Sequence, residues 1–295
     1  MRRRVAGGMR GSHTPVSLIS LFSAKATGLI LAAGAVTAAV IPHTAMRAAA
    51  MPSDLPAPPA LLSAGWPSNP LAGRGFGGMP QFGELVWQRP DGTPGSKLCS
   101  AVAVDSAGGD LIATAAHCVG GVKSHIGGSM AVAYLPGADN GSRPYGVWYP
   151  TRIIRAQQWM NGVKNPDFDI AFLTVDRPGD IRPLESVTGA EHFGAIPAAG
   201  TLGVQVGYPY AERHPVACRT AIRFLSPTQL KLDCAGFPGG TSGGPVLTDV
   251  DPGDGIGTLV GVMGGYQNGG RRADVTYASA FTPAIEQLYR QASRY

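Results

Sequence analysis

Gly239-Gly240-Thr241-Ser242-Gly243-Gly244-Pro245 is the stretch on which the reading of this 295-residue chain turns. A serine among glycines is ordinarily no more than a flexible loop. Glycines also let a backbone turn tightly and aim N–H groups at one point. Here the N–H groups of Gly240 and Ser242 are candidates to hold a developing oxyanion, each worth about 2.7–4 kcal/mol in such a role. A serine hydroxyl is a poor nucleophile unless a neutral imidazole lies within about 2.6–3.2 Å and a third group orients that imidazole. The loop therefore gains meaning only if the chain also supplies a histidine and a carboxylate.

Two upstream segments supply them. Thr114-Ala115-Ala116-His117-Cys118 places a histidine just after an apolar run, and Asp167-Phe168-Asp169-Ile170-Ala171-Phe172-Leu173 places two aspartates before another. Asp167 and Asp169 are two residues apart and would face the same side of an extended strand, so spacing does not choose between them. Chain order separates the rival arrangements. Gly240-Thr241-Ser242-Gly243-Gly244 also fits the G-x-S-x-G elbow of α/β-hydrolases, but that fold needs its histidine after the serine. The last histidine here is His214. The order Asp, His, Ser, with Asp105 or Asp110 as the acid, belongs to an α/β fold, and the helices it needs are missing. The order His, Asp, Ser remains.

The rest of the chain reads as short strands. Apolar runs fall at 84–88, 98–104, 111–115, 130–135, 147–154, 170–175, 201–208, 221–225, 230–232, 245–247, 258–263 and 275–277, many of them separated by Gly, Pro, Asn or Asp. With 42 glycines and 25 prolines, this pattern points to an all-β chain of antiparallel barrels or sandwiches rather than βαβ units. One helix closes it: Thr282 is a natural N-cap, Pro283 suits the first turn, and Ile285, Leu288, Tyr289 and Ala292 form one apolar stripe. That stripe is expected to pack on the second half of the chain. Hydrophobic residues make up 44% and charged residues 15%, enough apolar material for a packed core.

The N-terminus reads as an export signal. Residues 1–50 hold Arg2, Arg3, Arg4, Arg10, Lys25 and Arg47 and no acid; an uncharged run from Ala26 to Ile41 leads to Ala48-Ala49-Ala50, which suits signal cleavage. Sixteen residues are short for a membrane span of about 20, so no stable anchor is expected after cleavage. Removing these six cations from the chain's 24 leaves 18 against 19 acids. The net charge of +5 thus belongs to the signal, and a nucleic-acid partner is not expected. Residues 51–82, rich in Pro, Gly and Ala, read as a linker or short pro-segment. Cys99, Cys118, Cys218 and Cys234 are even in number, which suits export, and contain no CxxC pair, which argues against a zinc site. Of three possible connectivities, the local one, Cys99–Cys118 with Cys218–Cys234, is preferred.

TAAHC at 114–118, DIAFL at 169–173 and GGTSGGP at 239–245 together resemble the trypsin-like peptidases over roughly residues 83–290. Gly207-Tyr208-Pro209-Tyr210 and Gly264-Gly265-Tyr266-Gln267 look more like bacterial glutamyl-endopeptidase relatives than digestive trypsins. The resemblance implies two packed antiparallel six-stranded β-barrels, about 83–185 and 186–280, with a C-terminal helix at 282–292. It implies a cleft between the barrels holding His117, Asp169 and Ser242, and it is the resemblance that favours Asp169 over Asp167. It also implies that Cys99–Cys118 ties the histidine loop to the preceding hairpin. The expected activity is hydrolysis of polypeptides by a secreted monomer, with no metal or organic cofactor. A silent binding module and an esterase on the same fold are the rivals. A fluorophosphonate probe separates the first, and a peptide library the second.

Two departures from trypsin matter. Trypsin has an Asp directly before its nucleophile, which pairs with a freed ammonium; Thr241 cannot do so. Trypsin's basic specificity rests on an Asp at the position held here by Gly236. Gly236, Phe237 and Pro238, facing Met263, Gly264 and Gly265, are the expected substrate-binding residues. With no carboxylate among them, cleavage after Lys or Arg is disfavoured. The wall lacks the histidine of glutamyl endopeptidases, so an apolar or small side chain is the expected occupant.

Overall fold

A computed structural model describes residues 73–75, 77–122 and 130–295. The proposed signal, 1–50, and residues 51–72 lie outside them.

The first sheet is built from β2 (Phe82–Gln88), β3 (Pro94–Ala103), β4 (Leu111–Thr114), β5 (Val132–Pro136), β6 (Tyr149–Arg155) and β7 (Ala171–Asp176). They pair antiparallel in the order β5-β2-β3-β4-β7-β6. The two ends meet, because Tyr134 and Trp148 exchange backbone hydrogen bonds of 2.8 and 2.9 Å. The sheet is therefore a closed six-stranded barrel. Its interior is packed by Leu85, Ala101, Ile112, Tyr134, Trp148 and Leu173, all essentially inaccessible to solvent.

The second sheet contains β8 (His192–Phe193), β9 (Leu202–Gly207), β10 (Val216–Ala221), β11 (Arg223–Ser226), β12 (Gln229–Leu232), β13 (Pro245–Thr248), β14 (Thr258–Met263) and β15 (Thr276–Ala280), with β1 (Arg74–Gly75) added at one edge. Its order is β1-β10-β9-β13-β14-β15-β12-β11, with β8 beside β14. Only Ile222 separates β10 from β11, yet they occupy opposite ends of the path, so a single bent strand closes this sheet as well. Counting that strand once, and setting aside the two-residue β1 and β8, leaves six strands. The architecture is two curled antiparallel sheets with a C-terminal helix.

Several elements differ from the sequence reading. β10 escaped it because its exposed Arg219 and its alternation with Cys218 and Thr220 break the apolar run. The expected strand 221–225 is cut at Ile222, which turns inward and whose N–H donates to the Thr201 carbonyl at 2.8 Å. Residues 73–75 and 77–82 belong to the fold and not to a linker: β1 pairs with β10, and Met79 and Phe82 are buried. Short helices α1 (Gln157–Met160) and α2 (Leu184–Thr188) were also missed.

The closing helix, α3 (Pro283–Ala292), is capped by Thr282, whose hydroxyl accepts from the Ile285 N–H at 3.4 Å. It packs on the first barrel as well as on the expected second. Its stripe meets β6 and β7, Tyr289 stacks on Phe193 with ring centroids 4.0 Å apart, and its hydroxyl donates to the Asp105 carbonyl at 2.7 Å. The chain leaves β15 through the buried Phe281, which itself stacks on Phe193, and this aromatic set carries the helix across. Among the described residues no helix is long and apolar enough to cross a membrane.

Candidate active site

His117 follows β4 in a short 3₁₀ turn, Ala116–Val119. Cys118 is joined to Cys99 of β3, so the turn is fixed to its own barrel. Asp169 ends a second 3₁₀ turn, Pro166–Phe168, started by Asn165, whose side chain accepts from the Asp167 N–H. This turn is why the expected equivalence of the two aspartates fails: residues 166–168 are coiled, not extended. Asp167 faces β12, with its Oδ1 accepting from Thr228 Oγ1 at 2.7 Å and Gln229 Nε2 at 3.0 Å. Asp169 turns the other way and is wholly buried.

The Asp169 carboxylate is fully occupied. Its Oδ1 accepts from the His117 backbone N–H at 2.8 Å. Its Oδ2 accepts from His117 Nδ1 at 2.7 Å and from the Gly265 N–H at 2.8 Å. A carboxylate only accepts, so the Nδ1 atom must carry the proton, leaving the neutral ring a lone pair on Nε2. The ring is about one-fifth exposed, so it faces the cleft from an anchored base.

Ser242 sits on a loop that the first barrel grips. The Ser100 N–H donates to the Ser242 carbonyl at 2.7 Å. Ser100 Oγ donates to the Gly240 carbonyl at 3.0 Å and accepts from the Tyr208 N–H at 2.8 Å. Thr114 Oγ1, three residues before His117, donates to the Ser100 carbonyl at 2.8 Å. These bonds bring the serine loop against the strand end that carries the histidine. Gly243 has to be glycine, since a Cβ there would collide with Thr114 and Ser100. Gly240, at φ 100°, lies so close to Tyr208 and Tyr210 that no side chain fits. Among the described residues, neither the Gly240 N–H nor the Ser242 N–H has an acceptor within the chain. The Ser242 hydroxyl donates at 3.5 Å to the carbonyl of Asn268.

Ser100 was not among the residues picked out from sequence. A small hydroxyl inside the otherwise apolar run 98–104 was the available signal. Thr241, in the place of trypsin's Asp, is buried and donates to the Pro238 carbonyl at 2.7 Å.

Beside Ser242 lies a cavity of about 440 Å³. Of the residues expected to bind substrate, Gly236, Phe237, Pro238 and Met263 line it. Gly264 and Gly265 do not: they pack against Asp169, where a Cβ on Gly264 would fall 2.9 Å from Oδ2. Arg271 and Arg272 line it instead. The expected wall ended at Gly265, whereas the chain folds back to the cavity at 268–273. Among the described residues, the cluster of metal-ligand types is Cys99, His117 and Cys118; its two sulfurs are already bonded to each other, which removes the thiolates a metal would need. The second disulfide joins Cys218 of β10 to Cys234.

Residues 99–262 match the family of the trypsin-like peptidase domain. No curated protein matches the chain. Among solved structures, the chain is similar to the protease Anisep from Arthrobacter nicotinovorans, at 22% identity and a TM-score of 0.62 over 76% of this chain and 100% of that one. It is similar to the thermostable serine protease AL20 from an extremophilic microorganism, at 22% identity and a TM-score of 0.60 over 73% and 97%. A Glu endopeptidase aligns at 15% identity and a TM-score of 0.55 over 73% and 91%. The structural likenesses speak for the fold, and the family match spans more than half of the chain, so the protein belongs to the trypsin-like peptidase family and is a serine endopeptidase.

Proposed function

We propose that this chain is an exported endopeptidase that cuts polypeptides through Ser242, His117 and Asp169, by way of an acyl-enzyme. The observation that carries the reading is the three-point hold of Asp169 on His117 and Gly265, beside a serine loop with two N–H groups that have no acceptor among the described residues. In the first step Ser242 Oγ bonds to the scissile carbonyl carbon as its proton passes to His117 Nε2. The buried Asp169 stabilises the imidazolium and keeps its own proton count unchanged. The carbonyl oxygen becomes an oxyanion, and the Gly240 and Ser242 N–H groups are free to donate to it. Collapse expels the amine, which takes the proton from Nε2. Water, deprotonated by the same nitrogen, then releases the acid and restores the serine hydroxyl. For this to begin, the serine hydroxyl must leave the Asn268 carbonyl for the imidazole; catalytic hydrogen bonds commonly tighten only when substrate is bound.

Two disulfides support an oxidising destination, and the reading of residues 1–50 as an export signal agrees with it. Internally quenched peptides test the activity. The purified protein should cut bonds inside them, and Ser242→Ala should leave them intact. Cleavage of esters with no cleavage of peptides would replace this reading with an esterase.

A further inference from the structure

The cavity beside Ser242 has apolar walls, Phe237 and Met263, and a cationic rim, Arg271 and Arg272. The two arginines are not equivalent. Arg272 is already paired: its Nε and Nη2 donate to the two carboxylate oxygens of Asp274 at 3.0 and 2.8 Å. Arg271 is exposed and, among the described residues, has no ion-pair or hydrogen-bond partner. Among the described residues, no carboxylate lines the cavity. Asp274 is committed to Arg272, and Asp233, the next acid in this region, faces Arg223 and Lys231. A side chain entering the cavity therefore meets one unsatisfied positive charge and no negative one.

Resting on the assignment of Ser242 as nucleophile, we propose that Arg271 is a specificity-determining residue that selects an acidic side chain, Glu or Asp, on the residue before the scissile bond. An apolar side chain would use Phe237 and Met263 but leave Arg271 idle. A Lys or Arg would meet a like charge with no compensation, and like-charge juxtaposition is strongly penalised. A carboxylate would pair with the planar guanidinium, two-pronged where geometry allows. Substrate entry displaces water from the apolar walls, which strengthens that pair beyond what an open surface gives. This revises the expectation of an apolar occupant, which rested on 236–238 and 263–265, because the fold brings 271–272 to the same cavity.

The test compares kcat/KM for peptides that differ only by Glu or Gln before the cut. The two side chains have the same shape, so their ratio isolates charge. The expected ratio in the wild type is tenfold or more, falling as salt rises. Arg271→Ala should bring it near one, Arg271→Lys should keep it well above one, and Arg271→Glu should shift preference to Lys. Arg272→Ala should lower it less, because Asp274 already neutralises that cation. Each ratio is taken within one variant, so a loss of folded protein does not change it. A wild-type ratio near one, or a ratio unchanged in Arg271→Ala, overturns the proposal while cleavage of either peptide keeps the peptidase reading. Absence of cleavage and of fluorophosphonate labelling in the wild type overturns both.

Discussion

Ser100, on a strand of the first barrel, donates its hydroxyl to the carbonyl of Gly240 in the second, 3.0 Å away. The bond fixes the peptide that lies between the two N–H groups, of Gly240 and Ser242, proposed to hold the oxyanion. Ser100→Ala leaves the Gly240 carbonyl and the Tyr208 N–H without that partner in a buried setting, at about 1–3 kcal/mol for an unsatisfied group. We expect a lower melting temperature and a fall in kcat larger than any rise in KM. A variant with wild-type kcat would show that the loop needs no support from the first barrel.

The two aspartates should behave differently. Asp169→Asn keeps the shape but offers His117 Nδ1 the wrong partner, and a loss of about 10⁴ in kcat is expected. Asp167 bonds Thr228 and Gln229, so Asp167→Asn should lower stability by about 1 kcal/mol and leave kcat within a few fold. Steady-state kinetics of both variants check this, and the reverse ranking refutes it.

The N-terminal segment should matter in a narrow window. Gly73 donates its N–H to the Ala235 carbonyl at 2.6 Å, and β1 pairs with β10, next to Gly236 and Phe237 of the cavity. Thr241 carries no charge for a freed ammonium to meet. Chains beginning anywhere from 51 to 73 should therefore share one kcat/KM, whereas a chain beginning at 77 should lose several fold. A sharp optimum at one starting residue upstream of 73 would point to a specific role for the ammonium.

Stability should fall as pH rises through neutrality. Burial pushes the Glu191 carboxyl up to about 8; the Gly257 N–H opposes this and the charge of Asp254 adds to it. A carboxyl raised above its usual value near 4.5 favours the fold while neutral. Its contribution is whole below about 4.5 and is lost as pH climbs to about 8, at up to about 1.4 kcal/mol per pH unit. Urea midpoints should thus be higher at pH 5 than at pH 8.5, and Glu191→Gln should flatten the difference. An unchanged slope in that variant would place the titration elsewhere.

How much of this was visible in the sequence differs from element to element. His117 and Ser242 were legible because their neighbours are constrained locally: a cysteine beside the one, and glycines that cannot bear a Cβ around the other. Asp169 was legible only through resemblance, since the 3₁₀ turn that separates it from Asp167 depends on Asn165 and Pro166 and not on apolar periodicity. Most of the strands followed from runs between turn residues, but β10 did not, because one of its faces meets solvent and its register is set by β9. Ser100 and Arg271 were illegible for a different reason. The role of Ser100 comes from a partner 140 residues away, which its lone hydroxyl in an apolar run marks without naming, and the role proposed for Arg271 comes from a chain reversal that leaves no local pattern.

Labelling with a fluorophosphonate, followed by peptide mapping of the adduct, tests the central claim most directly. The reagent reacts with a serine only when a neighbouring base and an oxyanion site activate it. One adduct is expected, on Ser242, in the wild type, and none in Ser242→Ala or, on the same timescale, in His117→Ala. Stoichiometric labelling of folded Ser242→Ala, or an adduct on any other serine of the wild type, would contradict it.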